Sequence, residues 1–165
     1  MFLLTSVLNI RAVSQGRKPI IIGIDGNGTR IVTEASDPIY KTEAIAFIRK
    51  FFYNAYNFNT SNFFKRIGLA TTMMSENLWK KKESEILDLK SKVERDNIEI
   101  SGEIVELSKE ENGLYHALIK IKEKTRLNEQ NHEMMVSVRL KPVTRTSDNP
   151  FGLEVDSYEE TPTDR

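Results

Sequence analysis

The stretch Asn149-Pro150-Phe151-Gly152-Leu153-Glu154-Val155-Asp156-Ser157-Tyr158 joins a tight turn to a β-strand. Its first half is typical of a turn, because Asn149 can hydrogen-bond to nearby backbone, Pro150 fixes its own φ, and Gly152 can adopt a positive φ. Its second half alternates between apolar and polar residues, which is the pattern of a half-buried strand. We therefore predict a rigid turn that leads into the last strand of a sheet, with the rest of the chain forming the core that holds this strand.

The composition is that of an ordinary soluble globular domain. The chain has 165 residues, of which 39% are hydrophobic and 29% are charged, and this is long enough to bury a core. Lys and Arg together number 24, as do Asp and Glu. This balance lacks the basic excess typical of dedicated nucleic-acid-binding proteins, so we expect no direct nucleic-acid binding. The absence of cysteine excludes disulfides, zinc-thiolate sites and thiol catalysis.

Residues 1–18 form an apolar lead-in that ends in basic residues. The apolar run Phe2–Ile10 is much shorter than the roughly 20 residues that span a bilayer. It also lacks the basic region and the small-residue cleavage site of a signal peptide. Two interpretations stay open: a short amphipathic lead-in, or the end of a transmembrane helix, with Arg11, Arg17 and Lys18 at the membrane surface.

A β-hairpin and three helices are predicted after the lead-in. Two β-branched runs flank Gly, Asn and Asp residues within Pro19–Thr33, and this pattern predicts the hairpin. Asp37 before Pro38 is a strong helix start, and Ser75 can cap the third helix. The helices are predicted over residues 38–56, 62–71 and 76–95.

The first of these helices is rich in aromatic residues on more than one side. Ile48, Phe52 and Tyr56 recur at helical spacing and predict a face directed toward the core. Three further aromatic residues lie off this stripe: Tyr40, Phe47 and Tyr53. Either a curved sheet wraps far enough around the helix to cover them, or they are exposed and available to a partner.

Beyond residue 97 the hydrophobic period changes from helical to two, which predicts strands. Four strands are predicted, over residues 98–107, 114–125, 134–140 and 153–158. A change of phase after Ile104 predicts a bulge near Gly102 that bends the first of them. Asn112-Gly113 is a strong hairpin signal.

Helices followed by long strands predict an α+β fold, with the helices on one face of a bent sheet. We expect an N-terminal hairpin and three helices packed on a curved four-stranded antiparallel sheet, the cone-like arrangement of the nuclear-transport-factor-2-like folds. Residues 19–160 are assigned to this single domain, and residues 161–165 to a disordered tail.

No motif of a known catalytic site occurs. The sequence lacks Gly-x-Ser-x-Gly, a Walker loop and His-Glu-x-x-His. His116 and His132 are expected on the polar side of adjacent strands, without the further ligands that a shared metal needs. The inner sheet positions are apolar or tyrosine, which predicts a filled interior. We therefore predict no catalytic residue, no metal and no cofactor, with a small-ligand-binding protein or enzyme that uses the cavity of the same fold as the alternative.

Four segments between Pro19 and Glu160 carry a resemblance to a known family. They are the Ile-rich first strand, the aromatic run Phe51–Phe58, the Met73-Met74-Ser75 segment and, most specifically, Asn149-Pro150-x-Gly152 with the closing strand to Tyr158. Together they resemble the bitopic inner-membrane assembly subunits of bacterial type IV secretion and conjugation machines, including the TraE-like proteins of conjugative plasmids.

The resemblance implies a short cytoplasmic segment, one membrane helix and a periplasmic domain with the cone-like fold. It also implies self-association, contacts with other subunits of the secretion or conjugation channel, and no catalysis. The protein would then be attached to the bacterial inner membrane through an N-terminal helix, with residues 1–18 holding the end of that helix.

We expect the contacts with partner proteins to lie at the turn and on the first helix. The candidate residues are Asn149, Pro150, Phe151, Gly152, Tyr158, Tyr40, Phe47 and Tyr53. Asn149 and Gly152 would shape the loop, and Phe151 would present apolar area. Under the other interpretation the turn merely connects two strands. If the turn is a contact site, Gly152→Ala should weaken association more than it lowers stability.

Overall fold

A computed structural model of the chain describes residues 21–25, 28–32, 38–110 and 113–163, with side chains described from Thr42 onward. The chain divides into two compact units, residues 1–42 and 43–165. No helix within the described ranges is long and apolar enough to cross a membrane. The predicted lead-in lies outside these ranges, and a single domain over residues 19–160 stays a prediction.

The first unit contains an antiparallel hairpin. Strand β1 (Ile21–Asp25) pairs with β2 (Gly28–Val32), with Ile21 opposite Val32. The predicted hairpin is therefore confirmed, as expected from the β-branched residues in both strands. Asp37, the predicted helix cap, lies outside the described residues.

Three helices follow at the predicted places: α1 (Pro38–Ala55), α2 (Phe63–Thr71) and α3 (Glu76–Asp96). Ser75 caps α3 as predicted, because its hydroxyl accepts a hydrogen bond from the backbone N–H of Leu78 at 3.3 Å. The helix ends at Asn97, which adopts a left-handed conformation with φ of 53°. Asn tolerates this conformation better than most residues, and this fixes the end of α3.

The second unit contains an antiparallel sheet of five strands in the order β3-β4-β5-β6-β7. These are β3 (Asn57–Phe58), β4 (Glu99–Lys109), β5 (Leu114–Lys124), β6 (Glu129–Pro142) and β7 (Leu153–Pro162). The predicted number of four strands is wrong, because Asn57 and Phe58, which follow α1 after one intervening residue, pair with Ser101 and Ile100. A strand this short carries no periodic signal, so only its pairing reveals it. The α+β class is confirmed, and the nuclear-transport-factor-2-like arrangement stays a prediction.

The bulge of β4 lies at Val105, where the register with β5 shifts between Ile104 and Glu106. The predicted position near Gly102 is therefore wrong. Gly102 has another role, because a Cβ atom there would come within 2.7 Å of the Cβ atom of Tyr56. The missing side chain lets the end of α1 approach the sheet closely.

The last strand is longer than the sequence predicts. It was expected to end at Tyr158, but β7 continues to pair with β6 as far as Pro162, opposite Met134. Thr163 then donates its backbone N–H to the carbonyl of Glu133 at 3.1 Å. The predicted disordered tail is corrected for residues 161–163, because polar, exposed residues can still complete a ladder of backbone hydrogen bonds.

The core of the second unit lies between the helices and one face of the sheet. Its largest fully buried side chains are Phe47, Ile48, Phe51, Val93, Ile119, Val136, Val138, Leu153 and Val155. The ring of Phe51 on α1 packs edge-on against Tyr158 on β7, with 5.7 Å between the ring centroids. We call the sheet face toward the helices the inner face and the opposite one the outer face.

Candidate interaction site

The connection from β6 to β7 closes with a tight turn over Asn149–Gly152. Gly152 donates its backbone N–H to the carbonyl of Asn149 at 3.1 Å, with Pro150 at the second position of the turn. Gly152 has φ of +62°, the conformation predicted for it. The side-chain amide of Asn149 donates to the carbonyl of Leu153 at 2.9 Å and so ties the turn to the start of β7. The predicted turn is confirmed.

Arg145 links this turn to α1 through hydrogen bonds of its side chain. Its guanidinium donates to the carbonyl of Pro150 at 3.0 Å and, with both terminal nitrogens, to the carboxylate of Glu43. The side chains of Arg145 and Glu43 are only 25% and 21% exposed, so this two-pronged ion pair is partly shielded from water. Sequence reasoning missed both residues, because no local spacing connects positions so far apart in the chain.

Phe151 folds back onto α1 instead of pointing into solvent. Its ring lies 5.6 Å from the ring of Phe47 at an angle of 66°, and the Lys50 ammonium lies 5.7 Å from the Phe151 centroid. Phe47 is only 2% exposed. The prediction of Phe47 as an accessible contact is therefore wrong, since the turn's own aromatic residue packs against it. Phe151 itself is half-buried and presents only part of its apolar area.

Among the aromatic residues of α1 whose side chains the structure describes, Tyr53 is the one that reaches the surface. Its side chain is 53% exposed. The guanidinium of Arg66 lies 4.3 Å from its ring centroid and donates to its hydroxyl at 2.9 Å, which holds the ring in place. The side chain of Tyr40 lies outside the described part of the chain. We call Lys50, Tyr53 and Phe151, with the turn, the turn–helix surface.

Tyr158 belongs to the inner face of the sheet. Its hydroxyl donates to Glu160 Oε1 at 3.1 Å, and the hydroxyl of Tyr56 donates to the same oxygen. Burial is the main cause that raises the pKa of Tyr158, followed by the charge of Glu160. Burial also raises the pKa of Tyr56 well above its ordinary value, with smaller effects of Tyr158 and Glu160. A partner contact at Tyr158 stays a prediction.

A cleft of about 360 Å³ opens beside these tyrosines. Its lining includes the apolar residues Phe58, Ile67, Met74, Ile86, Leu89 and Met134, and the titratable residues Tyr56, Glu85, Lys92, Glu123, His132, Tyr158 and Glu160. The prediction of a filled interior is therefore wrong in this region. The prediction of a filled interior rests on the apolar inner-face positions of β5 and β6. Beyond Ile121 the inner-face positions of both strands are polar, and the prediction does not take them into account.

The two histidines lie on opposite faces of the sheet. His132 is directly opposite Ile121, and cross-strand partners share a face, so its predicted place on the polar outer face is wrong. His116 lies on the outer face opposite Ser137, whose hydroxyl is 2.9 Å from His116 Nδ1. Within the ranges that the structure describes, no group of three or more His, Asp or Glu side chains could hold a metal ion.

Neither a protein-family model nor a curated protein matches the sequence, but the fold matches solved structures. VirB8 of Agrobacterium tumefaciens matches with a TM-score of 0.64 at 12% identity, over 78% of this chain and 96% of that one. An IcmL-like type IV secretion system protein from Legionella pneumophila matches with a TM-score of 0.60 at 16% identity, over 76% and 94% of the two chains.

TraE, solved in complex with 4-(1H-pyrrol-1-yl)pyridine-2-carboxylic acid, matches with a TM-score of 0.61 at 16% identity, over 79% of this chain and 100% of that one. At such identities the likeness establishes the fold. The resemblance to TraE-like proteins that the sequence predicts is thereby confirmed at the level of three-dimensional structure.

Proposed function

We propose that this chain is an assembly subunit of a bacterial type IV secretion or conjugation channel and acts through protein–protein contacts, without catalysis. The observation that carries the proposal is the match of its fold to VirB8, TraE and an IcmL-like type IV secretion system protein over nearly their whole lengths. The family resemblance further supports a periplasmic location for this domain, with attachment to the inner membrane through an N-terminal helix.

The turn–helix surface is the proposed contact site for a second copy or for other channel subunits. Asn149 and Arg145 hold its backbone by hydrogen bonds, Glu43 holds the guanidinium of Arg145, and Arg66 holds the ring of Tyr53. A surface that is already ordered loses little conformational freedom when it binds, so more of the contact energy contributes to affinity. This argument favours a contact role for the turn over that of a plain connection.

A double substitution of exposed residues tests this role. Lys50→Glu with Tyr53→Ser changes the surface and leaves the buried Phe47 and the ion pair of Arg145 untouched. We expect at least a tenfold loss of self-association by sedimentation, of co-purification with coexpressed channel subunits, and of conjugative transfer or secretion. The matched control is Lys81→Glu with Phe64→Ser, which likewise changes one lysine and one aromatic residue, at exposed positions of α3 and α2.

Wild-type association and transfer in the Lys50→Glu/Tyr53→Ser protein, at an unchanged melting temperature, would exclude the turn–helix surface as the contact site. Wild-type transfer after deletion of the whole gene would instead reject the channel function. The two failures are therefore distinguishable.

The cleft supports a second candidate function, the binding of a small ligand. Two tyrosine hydroxyls and a carboxylate converge beside apolar side chains there, as a small-molecule site requires. A direct probe is the pyridine-carboxylic acid bound in the TraE structure. Chemical-shift changes at Met134 and Tyr158 that disappear in Tyr158→Phe would support this function, and a titration without such changes would exclude it for this compound.

A further inference from the structure

Strand β4 has neighbours on both sides only near its beginning. β5 pairs with it along its length, whereas β3 pairs only with Ile100 and Ser101. From Glu103 to Lys109, no strand among the described residues pairs with the other side of β4. An unpaired edge presents a row of backbone donors and acceptors, and such a row is a template for another strand. We call Gly102–Lys109 the β4 edge.

A side chain already imitates the missing strand at the start of this edge. The amide of Asn57 donates to the carbonyl of Gly102 at 3.0 Å and accepts from the N–H of Gly102 at 3.3 Å. A side-chain amide carries the donor and acceptor of a peptide group, so peptide-like pairing fits here. Backbone groups of alternate residues in an antiparallel strand face the same side. The N–H and carbonyl of Ile104 therefore face the side that Asn57 occupies at Gly102.

A groove of about 400 Å³ accompanies the β4 edge. One wall is formed by Gly102, Glu103 and Ile104, and the other includes Arg49 and Tyr53 on α1. The apolar side chains in its lining that are at least partly exposed are Tyr53 and Ile104, whereas Phe52 and Ile119 are at most 2% exposed. The groove thus has room on its inner side for the apolar side chains of an added strand.

Two carboxylates on the solvent side of the edge lack an ion-pair partner in the described part of the chain. Glu103 and Glu106 are both exposed. Lys120 is the cross-strand partner of Glu103, but its ammonium pairs with Glu133 on β6 at 3.7 Å. The edge therefore presents negative charge that cross-strand pairing within the sheet does not neutralise, and an adjacent strand with basic residues would compensate it.

We propose that the β4 edge is a docking site for an extended segment of a partner protein that adds a strand to the sheet. Lys or Arg at alternate positions of this segment would face Glu103 and Glu106, and apolar residues between them would face the groove. A second copy pairing through the same edge would bring glutamates close to glutamates, which is unfavourable. The inference does not depend on the proposed secretion function.

Three end-blocked peptides test this site in NMR titrations of the full chain: Lys-Val-Lys-Val-Lys-Val, Glu-Val-Glu-Val-Glu-Val and Lys-Val-Lys-Pro-Lys-Val. We expect the first to shift the amides of Gly102–Lys109 and to slow hydrogen exchange at Ile104 at least tenfold. The acidic peptide should bind at least tenfold more weakly because of charge. The proline peptide should lose the exchange protection because proline has no N–H and interrupts the added strand.

Charge reversal separates the β4 edge from general electrostatic attraction. Glu103→Lys/Glu106→Lys should reverse the preference between the basic and acidic peptides. Glu83→Lys/Glu94→Lys, at exposed positions of α3, changes the net charge equally and should keep the wild-type preference.

Three results would overturn the proposal. One is equal loss of binding in both double variants. Another is a set of shifts confined to the cleft or to β7. The third is concentration-dependent protection of Ile104 without peptide, because a second copy would then occupy the edge.

Discussion

The two ends of the sheet's inner face differ in what covers them. At the closed end, near the turn, Tyr115, Val138, Leu153 and Val155 are at most 3% exposed. At the open end, Ile121 is opposite His132 and Glu123 is opposite Gln130, and polar side chains border the cleft. The same long strands β5 and β6 form both ends. The difference therefore lies in the inner-face residues of these strands. They are buried in the core at the closed end, and they border a cleft with space for binding at the open end.

The two edges of the sheet differ in the same way. Beside the closed end, the N–H of Val155 donates to the carbonyl of Met73 at 2.8 Å, and its carbonyl accepts from the N–H of Ser75 at 2.8 Å. The segment before α3 thus seals this part of β7. Most of the β4 edge has no such cover among the described residues. We infer that stability is concentrated at the closed end and that binding capacity lies elsewhere.

Removing a fully buried aromatic ring from the core between α1 and β7 should have the largest effect on stability. Phe51 is fully buried and contacts the rings of Phe52 and Tyr158. Phe51→Ala should lower the free energy of unfolding by about 3–5 kcal/mol in urea denaturation, because it leaves a cavity. Phe64→Ala, at a ring that is 64% exposed, should cost less than about 1 kcal/mol. Similar losses at both positions would contradict the concentration of stability in the buried core.

Alanine substitutions at two glycines should have the next largest effects on the free energy of unfolding, with opposite signs. A Cβ atom at Gly152 would lie 2.6 Å from Arg145 Cγ and 2.9 Å from the carbonyl oxygen of Val143, at a φ of +62°. We expect Gly152→Ala to lower the free energy of unfolding by about 1–3 kcal/mol. A Cβ atom at Gly68 on α2 meets nothing within 4 Å, so Gly68→Ala should stabilise by roughly 0.5–1 kcal/mol.

The melting temperatures of the two alanine variants test this prediction. A Gly152→Ala protein as stable as the wild type would contradict a turn too tight for a side chain at this position. The sequence alone predicts that Gly152→Ala weakens association more than it lowers stability. The structure instead predicts a substantial loss of stability for this variant. The exposed Lys50 and Tyr53 are therefore cleaner probes of association than Gly152.

Features with local signals were the ones that the sequence predicted well. The alternation in β5 and β6, the cap at Ser75 and the turn at Asn149–Gly152 each depend on residues within a few positions of one another. Strand β3 could not be predicted, because a two-residue strand is defined only by its partner. The bulge was misplaced, because a change of phase indicates that an extra residue exists but not which residue it is.

The candidate site, too, could be predicted from the sequence only where its signals are local. The turn could be found from its residue types, but its attachment to α1 could not, since Arg145 and Glu43 are 102 positions apart. The burial of Phe47 likewise depends on contacts with the distant Phe151. The cleft was missed because periodicity tells which face a side chain occupies, but not where the covering helices leave that face open.

Substitution of Tyr56 and Tyr158, which border the cleft, should have the smallest effect on stability near neutral pH. In alkali it should change how stability depends on pH. Because the pKa values of Tyr56 and Tyr158 are raised in the folded chain, the folded state keeps protons that the unfolded chain releases above its tyrosine pKa of about 10. The stability that they contribute is fully present below this pH and is lost as the pH rises further. Melting temperatures should therefore fall more steeply above about pH 10 in the wild type than in Tyr56→Phe/Tyr158→Phe.

Tyr53→Phe is the matched control for this pair, because it removes a tyrosine hydroxyl from an exposed ring that lies away from Glu160. Its melting temperature should follow the wild-type slope in alkali. At pH 7 the double variant should lose about 1 kcal/mol or less, because the carboxylate that accepts both hydrogen bonds is exposed and can bond to water instead. Equal alkaline slopes in the wild type and the double variant would mean that neither hydroxyl is shielded from water. The open end would then be a fully solvated surface, and the contrast with the closed end would be larger than the structure indicates.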